Sequence, residues 1–200
     1  MIPLPAARFL AVQPTVELVF GLARPDRACT VVQLVAAHAG DGTTAMARDL
    51  ALVAAGPAGL RTVLVAVELA AAGNWPGGLM NPARIGAPDP AGLQQVSDSR
   101  LMLGLLPAGA APTAWLDQLR AWRGGADLIV LDLPALDRSA AAVTLAQHVD
   151  TTLLVAAAEV TTMSALGGLR DRLRAAGGTI KGVLFNRQRQ HLPRMLAGVL

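Results

Sequence analysis

TVVQLVAAHAGDGTTAMARDLALVA, residues 30–54, changes character twice along its length. It opens with an apolar run over residues 31–36, rich in β-branched side chains and broken only by Gln33, which reads as a buried strand. A tight polar loop follows, His38-Ala39-Gly40-Asp41-Gly42-Thr43-Thr44. Residues 45–54 then carry Met46, Leu50 and Val53 on one face at helical spacing. Strand, glycine loop and helix in this order form an arrangement suited to phosphate. Glycines let backbone N–H groups turn toward an anion, and the helix start offers it partial positive charge.

The loop departs from the pattern G-x-x-x-x-G-K-[ST] of a phosphate-binding P-loop. Ala37 stands at the first glycine, Thr43 at the lysine and Thr44 at the hydroxyl position. The shape of a nucleotide site is expected here without its main cation. The candidate cradle residues are Gly40, Asp41, Gly42, Thr43 and Thr44. Asp41, between two glycines, also reads as a loop-forming residue, and Thr44 equally as the N-cap of the following helix. His38 reads either as a solvated loop histidine or as a titratable cation beside the loop.

Composition bounds the rest. Two hundred residues, 53% hydrophobic and 16% charged, suit one ordinary domain with a real core rather than a long disordered segment. No apolar run reaches the roughly 18 residues of a membrane span, and Arg8, Gln13, Pro14 and Glu17 interrupt any leader-like core, so a cytoplasmic protein is expected. One cysteine, Cys29, allows neither an internal disulfide nor a cysteine-based metal site. Net charge is +3, with Lys181 the sole lysine and all other positive charges arginine. The arginines are scattered, apart from Arg187, Arg189 and Arg194, and with 3% aromatics no base-stacking surface is expected, so nucleic acid is not an expected partner. The chain contains no tyrosine.

Strands and helices alternate along the remaining length. Residues 16–23 read as a short amphipathic helix. Residues 62–67, 101–106, 127–131, 151–157 and 179–185 read as strands. Residues 113–122, 139–148 and 162–176 read as helices. Trp115 and Trp122 share one helix face and read as core. Residues 72–99 are rich in Gly and Pro and read as loops, with one short helix at 92–96. The expected fold is α/β, a mostly parallel central sheet with helices on both faces, as a P-loop NTPase-like three-layer sandwich. A single domain is expected over 1–200, with an N-terminal extension (1–28) and a basic tail (187–200). Ligands of such sheets sit at the carboxyl ends of the strands.

Several segments, in order, resemble the MinD/ParA-type P-loop proteins, and within them the bacterial tyrosine kinase domains of exopolysaccharide and capsule assembly. The resemblance rests on A-x-x-G-x-G-T-T (Ala37 to Thr44), RTVLVAVEL (61–69), LMLGLLPAG (101–109), ADLIVLDLP (126–134), VDTTLLVAAAEVTT (149–162) and GVLFNRQRQHLPRML (182–196). It implies that Thr44 and Asp132 meet Mg²⁺, with Glu68 assisting, and that Asn186 contacts a base. Read without the family, Asp132 and Asn186 are turn residues and Glu68 a solvated strand end. The departures are as informative. Thr43 replaces the P-loop lysine and Ala66 the first aspartate of the family's Asp-x-Asp signature. Phe20 and Ala23 stand where the kinases' E-x-x-R-x-x-R ring-forming helix, here starting at Glu17, has arginines. The family's phosphoacceptor tyrosines are absent.

A P-loop lysine neutralises the β- and γ-phosphates. One charge-assisted hydrogen bond is worth about 1.5–3 kcal/mol, or about one to two powers of ten in binding. Two readings follow. The first is a non-catalytic component, a pseudo-kinase, of exopolysaccharide synthesis or export. It would bind no cofactor, or Mg-ATP and Mg-ADP weakly, and partner an inner-membrane polysaccharide co-polymerase at the inner membrane face, with a homodimer also open. The second is an active Mg-ATP-dependent switch or ATPase with a variant loop.

Overall fold

The computed structural model describes residues 9–23, 28–69 and 85–187. In chain order the elements are α1 (Val12–Leu22), β1 (Thr30–Ala36), α2 (Thr43–Ala55), β2 (Thr62–Leu69), β3 (Ile85–Pro88) and β4 (Gln94–Val96). There follow β5 (Leu101–Pro107), α3 (Pro112–Arg123), β6 (Leu128–Asp132), α4 (Ala141–Leu145), β7 (Thr151–Ala157), α5 (Met163–Ala175) and β8 (Ile180–Asn186). The strands form one eight-stranded sheet in the order β3-β4-β5-β2-β6-β1-β7-β8. From β5 to β8 every pairing is parallel, while β3 and β4 add an antiparallel margin.

β1 is buried at every position because both its faces are covered. Val31 and Val35 face the layer of α3, α4 and α5; Val32, Leu34 and Ala36 face α1 and α2. That two-sided burial explains why the strand reads as continuously apolar rather than alternating. Gln33, its one polar residue, is fully buried on the α4 side. Its Nε2 donates to Thr152 Oγ1 at 2.9 Å and to the Ala142 carbonyl at 3.3 Å, tying β1 to β7 and α4. Trp115 and Trp122 are core residues, as expected. Their indole N–H groups donate to the Pro107 and Ala91 carbonyls at 3.1 and 2.9 Å. The apolar ring is buried while the polar edge finds an acceptor.

Three local expectations are corrected. Residues 92–96 hold no helix. Gln94–Val96 is strand β4, paired with β3 and β5. The reason is the turn before it: Asp89 Oδ1 accepts from the Ala91 and Leu93 N–H groups, and Gly92 sits at φ 78, so Asp89-Pro90-Ala91-Gly92 makes a hairpin bend. β3 therefore lies within the stretch read as loops. The helix expected over 139–148 is helical only over Ala141–Leu145, because the Ala146 and His148 N–H groups bond three residues back rather than four and tighten the chain into turns. The first helix starts at Val12, four residues earlier than its apolar pattern suggested, with Pro14 tolerated in its first turn. The basic tail beyond Arg187, with Arg189, His191 and Arg194, lies outside the described residues.

Candidate functional site

β1 ends at the middle of the sheet, between β6 and β7. The loop over residues 37–42 leaves its carboxyl end and turns into α2. Gly40 and Gly42 take φ 91 and φ 100, left-handed conformations that a side chain would strain, so glycine is required at both. Gly42 is the N-cap of α2, and no side chain caps this helix start. The cap reading of Thr44 is thereby corrected: Thr44 lies inside the first turn. Its hydroxyl lies close enough to the carboxylate of Asp132, at the end of β6, to favour the charged form of that carboxylate. Burial pushes the Asp132 carboxyl up to about 7, and the Thr44 hydroxyl only partly offsets this by stabilising the charged form. A hydroxyl beside a carboxylate, at the carboxyl end of a parallel sheet, is a pair of oxygen ligands that could meet Mg²⁺, Thr44 directly and Asp132 through water. Among the described residues no cluster of three or more acidic, histidine or cysteine side chains could hold a metal ion.

Thr43, at the lysine position, is nearly buried at the first residue of α2. The sheet register places Ala66 directly beside Asp132. The two neutral residues thus occupy the helix start behind the loop and the strand position next to Asp132. Glu68 lies near the end of β2, two residues beyond Ala66, and its side chain is outside the described set.

Asp41 is buried, with Oδ2 lacking a partner among the described residues, and its carbonyl accepts from Asn186 Nδ2 at 2.9 Å. Asn186, at the end of β8, reaches past the end of β7 to do this. Its Oδ1 accepts from the Arg187 N–H at 2.8 Å, so both ends of its amide are engaged with protein. The approach is close: a Cβ on Gly42 would lie 1.9 Å from Asn186 Nδ2. Arg187 Nη2 donates to the Gly40 carbonyl at 3.0 Å. On the opposite side His38 is exposed, with Nδ1 3.6 Å from Asp137 Oδ2, and the Ala39 N–H donates to the same carboxylate at 3.2 Å. The segment after β6 is pinned there by N–H bonds from Leu136 to the Ala36 carbonyl (2.9 Å) and from Asp137 to the Ala37 carbonyl (3.3 Å).

The structure therefore brings together Gly40, Asp41, Gly42, Thr43, Thr44, Asp132 and Asn186. Arg187 and Asp137 join them without having been singled out as site residues. Asp137 follows the D-x-P turn by three residues, and that spacing was the available signal. A buried ion pair was also missed. Arg48 and Asp49, in α2 behind the loop, are both almost wholly buried, 3.0 Å apart, and Asp49 Oδ2 accepts from the Phe9 and Leu10 N–H groups at 2.5 and 3.1 Å. Two adjacent charges inside an otherwise apolar helix were its only trace in the sequence.

No protein-family model matches the chain, and no curated protein matches it by sequence. Solved structures do match its fold. The kinase domain of the Escherichia coli tyrosine kinase ETK superposes with a TM-score of 0.63 at 18% identity, over 89% of this chain and 79% of that one. The VpsO kinase domain gives 0.61 at 22% identity, over 89% and 94%. MinD from Pyrococcus horikoshii, complexed with Mg-ADP, gives 0.57 at 19% identity, over 84% and 75%. The architecture is that of bacterial tyrosine kinase domains and of MinD- and ParA-type ATPases, as the sequence resemblance implied.

Proposed function

We propose that this chain is a non-catalytic component of exopolysaccharide synthesis or export that uses a P-loop fold as a binding scaffold for a membrane co-polymerase. The observation that carries the reading is the pair of neutral residues at the cleft, Thr43 after Gly42 and Ala66 beside Asp132. Phosphoryl transfer is driven almost entirely by positioning and electrostatic stabilisation, so removing the loop cation and a flanking carboxylate takes away most of what such a site supplies. The polysaccharide context comes from likeness to kinase domains and from the ordered motifs that resemble those of capsule and exopolysaccharide assembly. Exposed apolar side chains support a role in binding: Val160, Met163 and Phe185 lie beyond β7, at the start of α5 and near the end of β8, on the side of the sheet where the loop opens. No helix among the described residues is long and apolar enough to cross a membrane.

The test is calorimetry with Mg-ATP and Mg-ADP, together with a phosphate-release assay. No turnover above background is expected, and appreciable ATP hydrolysis would overturn the proposal. The second reading, an active nucleotide switch, is favoured by one observation, the retained Thr44–Asp132 contact on the metal side. It requires hydrolysis in the same assay.

A further inference from the structure

The outer edge of the sheet carries an apolar cavity separate from the cleft. β8 is the last strand in the sheet order and, among the described residues, pairs only with β7. Between β8 and α5 lies a cavity of about 300 Å³ lined by Leu154, Met163, Leu166, Ile180 and Val183. Gly167 and Gly182 also line it, and a Cβ on either would meet nothing within 4 Å, so the hollow continues over both. Glycine is unfavourable inside a helix, and at Gly167 it keeps this hollow open. Phe185 follows Val183 by two residues on the same face of β8 and extends the apolar surface toward the end of the strand. Met163 is 81% exposed and Phe185 53%, so both leave a large apolar side chain uncovered.

The chain itself carries an occupant of matching chemistry, in residues that lie beyond the described ones. Leu192, Met195, Leu196, Val199 and Leu200 recur at i, i+3, i+4, i+7 and i+8, the stripe of an amphipathic helix. Arg194 and Gly198 fall off the stripe, and Pro193 suits a first helical position. A helix over 192–200 spans about 13.5 Å, and β8 from Ile180 to Phe185 rises about 16 Å. Only residues 188–191 separate the stripe from Arg187, whose φ of 59 bends the chain sharply just past Phe185. The Arg187 guanidinium fixes that exit by donating to the Gly40 carbonyl at 3.0 Å. So short a tether holds the segment at high effective concentration beside the cavity, which favours it over a second copy or a separate protein. Running back along β8, such a helix brings its partially negative carboxyl end to Lys181 and Arg170, both exposed there, Arg170 while paired to Asp171. We propose that residues 192–200 form a helix that docks between α5 and β8 with its apolar stripe in the cavity. A partner that engages Met163 or Phe185 must displace this segment first. The inference stands whether or not the cleft turns over nucleotide.

The experiment is hydrogen–deuterium exchange on the full chain, with peroxide oxidation of Met163 followed by mass spectrometry. Amides 197–200 should exchange at least about tenfold more slowly than in a free peptide of residues 188–200, and the protection should persist on dilution of the protein. Leu196→Asp should remove that protection and speed the oxidation of Met163, because the stripe no longer fits an apolar cavity. Gly167→Glu should release the segment from the other side. Its side chain enters open space and favours the helix, so the body keeps its denaturation midpoint, while a carboxylate in the cavity is costly only when the segment covers it. Peptide-like exchange of 197–200 in the wild type, equal Met163 oxidation in wild type and Leu196→Asp, or protection kept in a folded Gly167→Glu would each overturn the proposal. Protection that fades on dilution would overturn it too, by showing that a second copy fills the cavity.

Discussion

Asp132 is the residue whose chemistry depends most on its surroundings. Its carboxyl is raised to about 7 by burial, above an unfolded value near 3.9. The folded chain therefore holds a proton that the unfolded chain has released between about pH 4 and pH 7. The stability associated with this group is complete below about pH 4, falls as pH rises through that window and levels off above it. Each pKa unit corresponds to about 1.4 kcal/mol. Denaturant melts at pH 5 and pH 8 should show wild-type stability falling over this interval more than that of Asp132→Asn, and parallel pH profiles would refute the assignment. Mg²⁺ with nucleotide should reduce the wild-type slope, because the cation favours the charged carboxylate.

At the scale of elements, strand register decides what a single substitution can restore. Ala66 lies level with Asp132 on the adjacent strand, while Thr43 lies on the helix that follows the loop. The two neutral positions sit on different elements, so on the proposed non-catalytic reading Thr43→Lys alone should not produce measurable ATP hydrolysis; any such activity would contradict that reading. Thr43→Lys with Ala66→Asp is the smallest change expected to give detectable phosphate release. The packing of α3 is tested separately. A Cβ at Gly104 in β5 would lie 2.8 Å from Trp122 Cη2 and 3.1 Å from Leu93 Cδ2. Gly104→Ala should therefore destabilise by about 1–3 kcal/mol through overpacking, read as a lower denaturation midpoint with an unchanged m-value.

For the whole molecule, the buried Arg48–Asp49 pair joins the helix behind the loop to the segment entering α1. Breaking a buried ion pair by removing one partner costs about 3–5 kcal/mol. Asp49→Ala should approach that loss in equilibrium unfolding, since the Phe9 and Leu10 N–H groups lose their carboxylate as well. A change below about 0.5 kcal/mol, typical of surface sites, would show that the pair does not hold these segments together.

The strand–loop–helix unit, the buried parallel strands, the tryptophan face of α3 and the neutral residue at position 43 follow from sequence alone. Each depends on local periodicity or on one residue type at one spacing. The β3–β4 hairpin was obscured because its Asp-Pro-Ala-Gly turn sits in a run of breakers, and a three-residue strand carries too little pattern to separate from a short helix. Only the tertiary structure decided that Thr44 lies beside Asp132 rather than capping its helix, that Ala66 stands beside Asp132, and that the Arg187 guanidinium meets the Gly40 carbonyl. Asn186 and Asp41 are 145 positions apart. Such contacts depend on strand order and register, which side-chain periodicity along the chain does not encode.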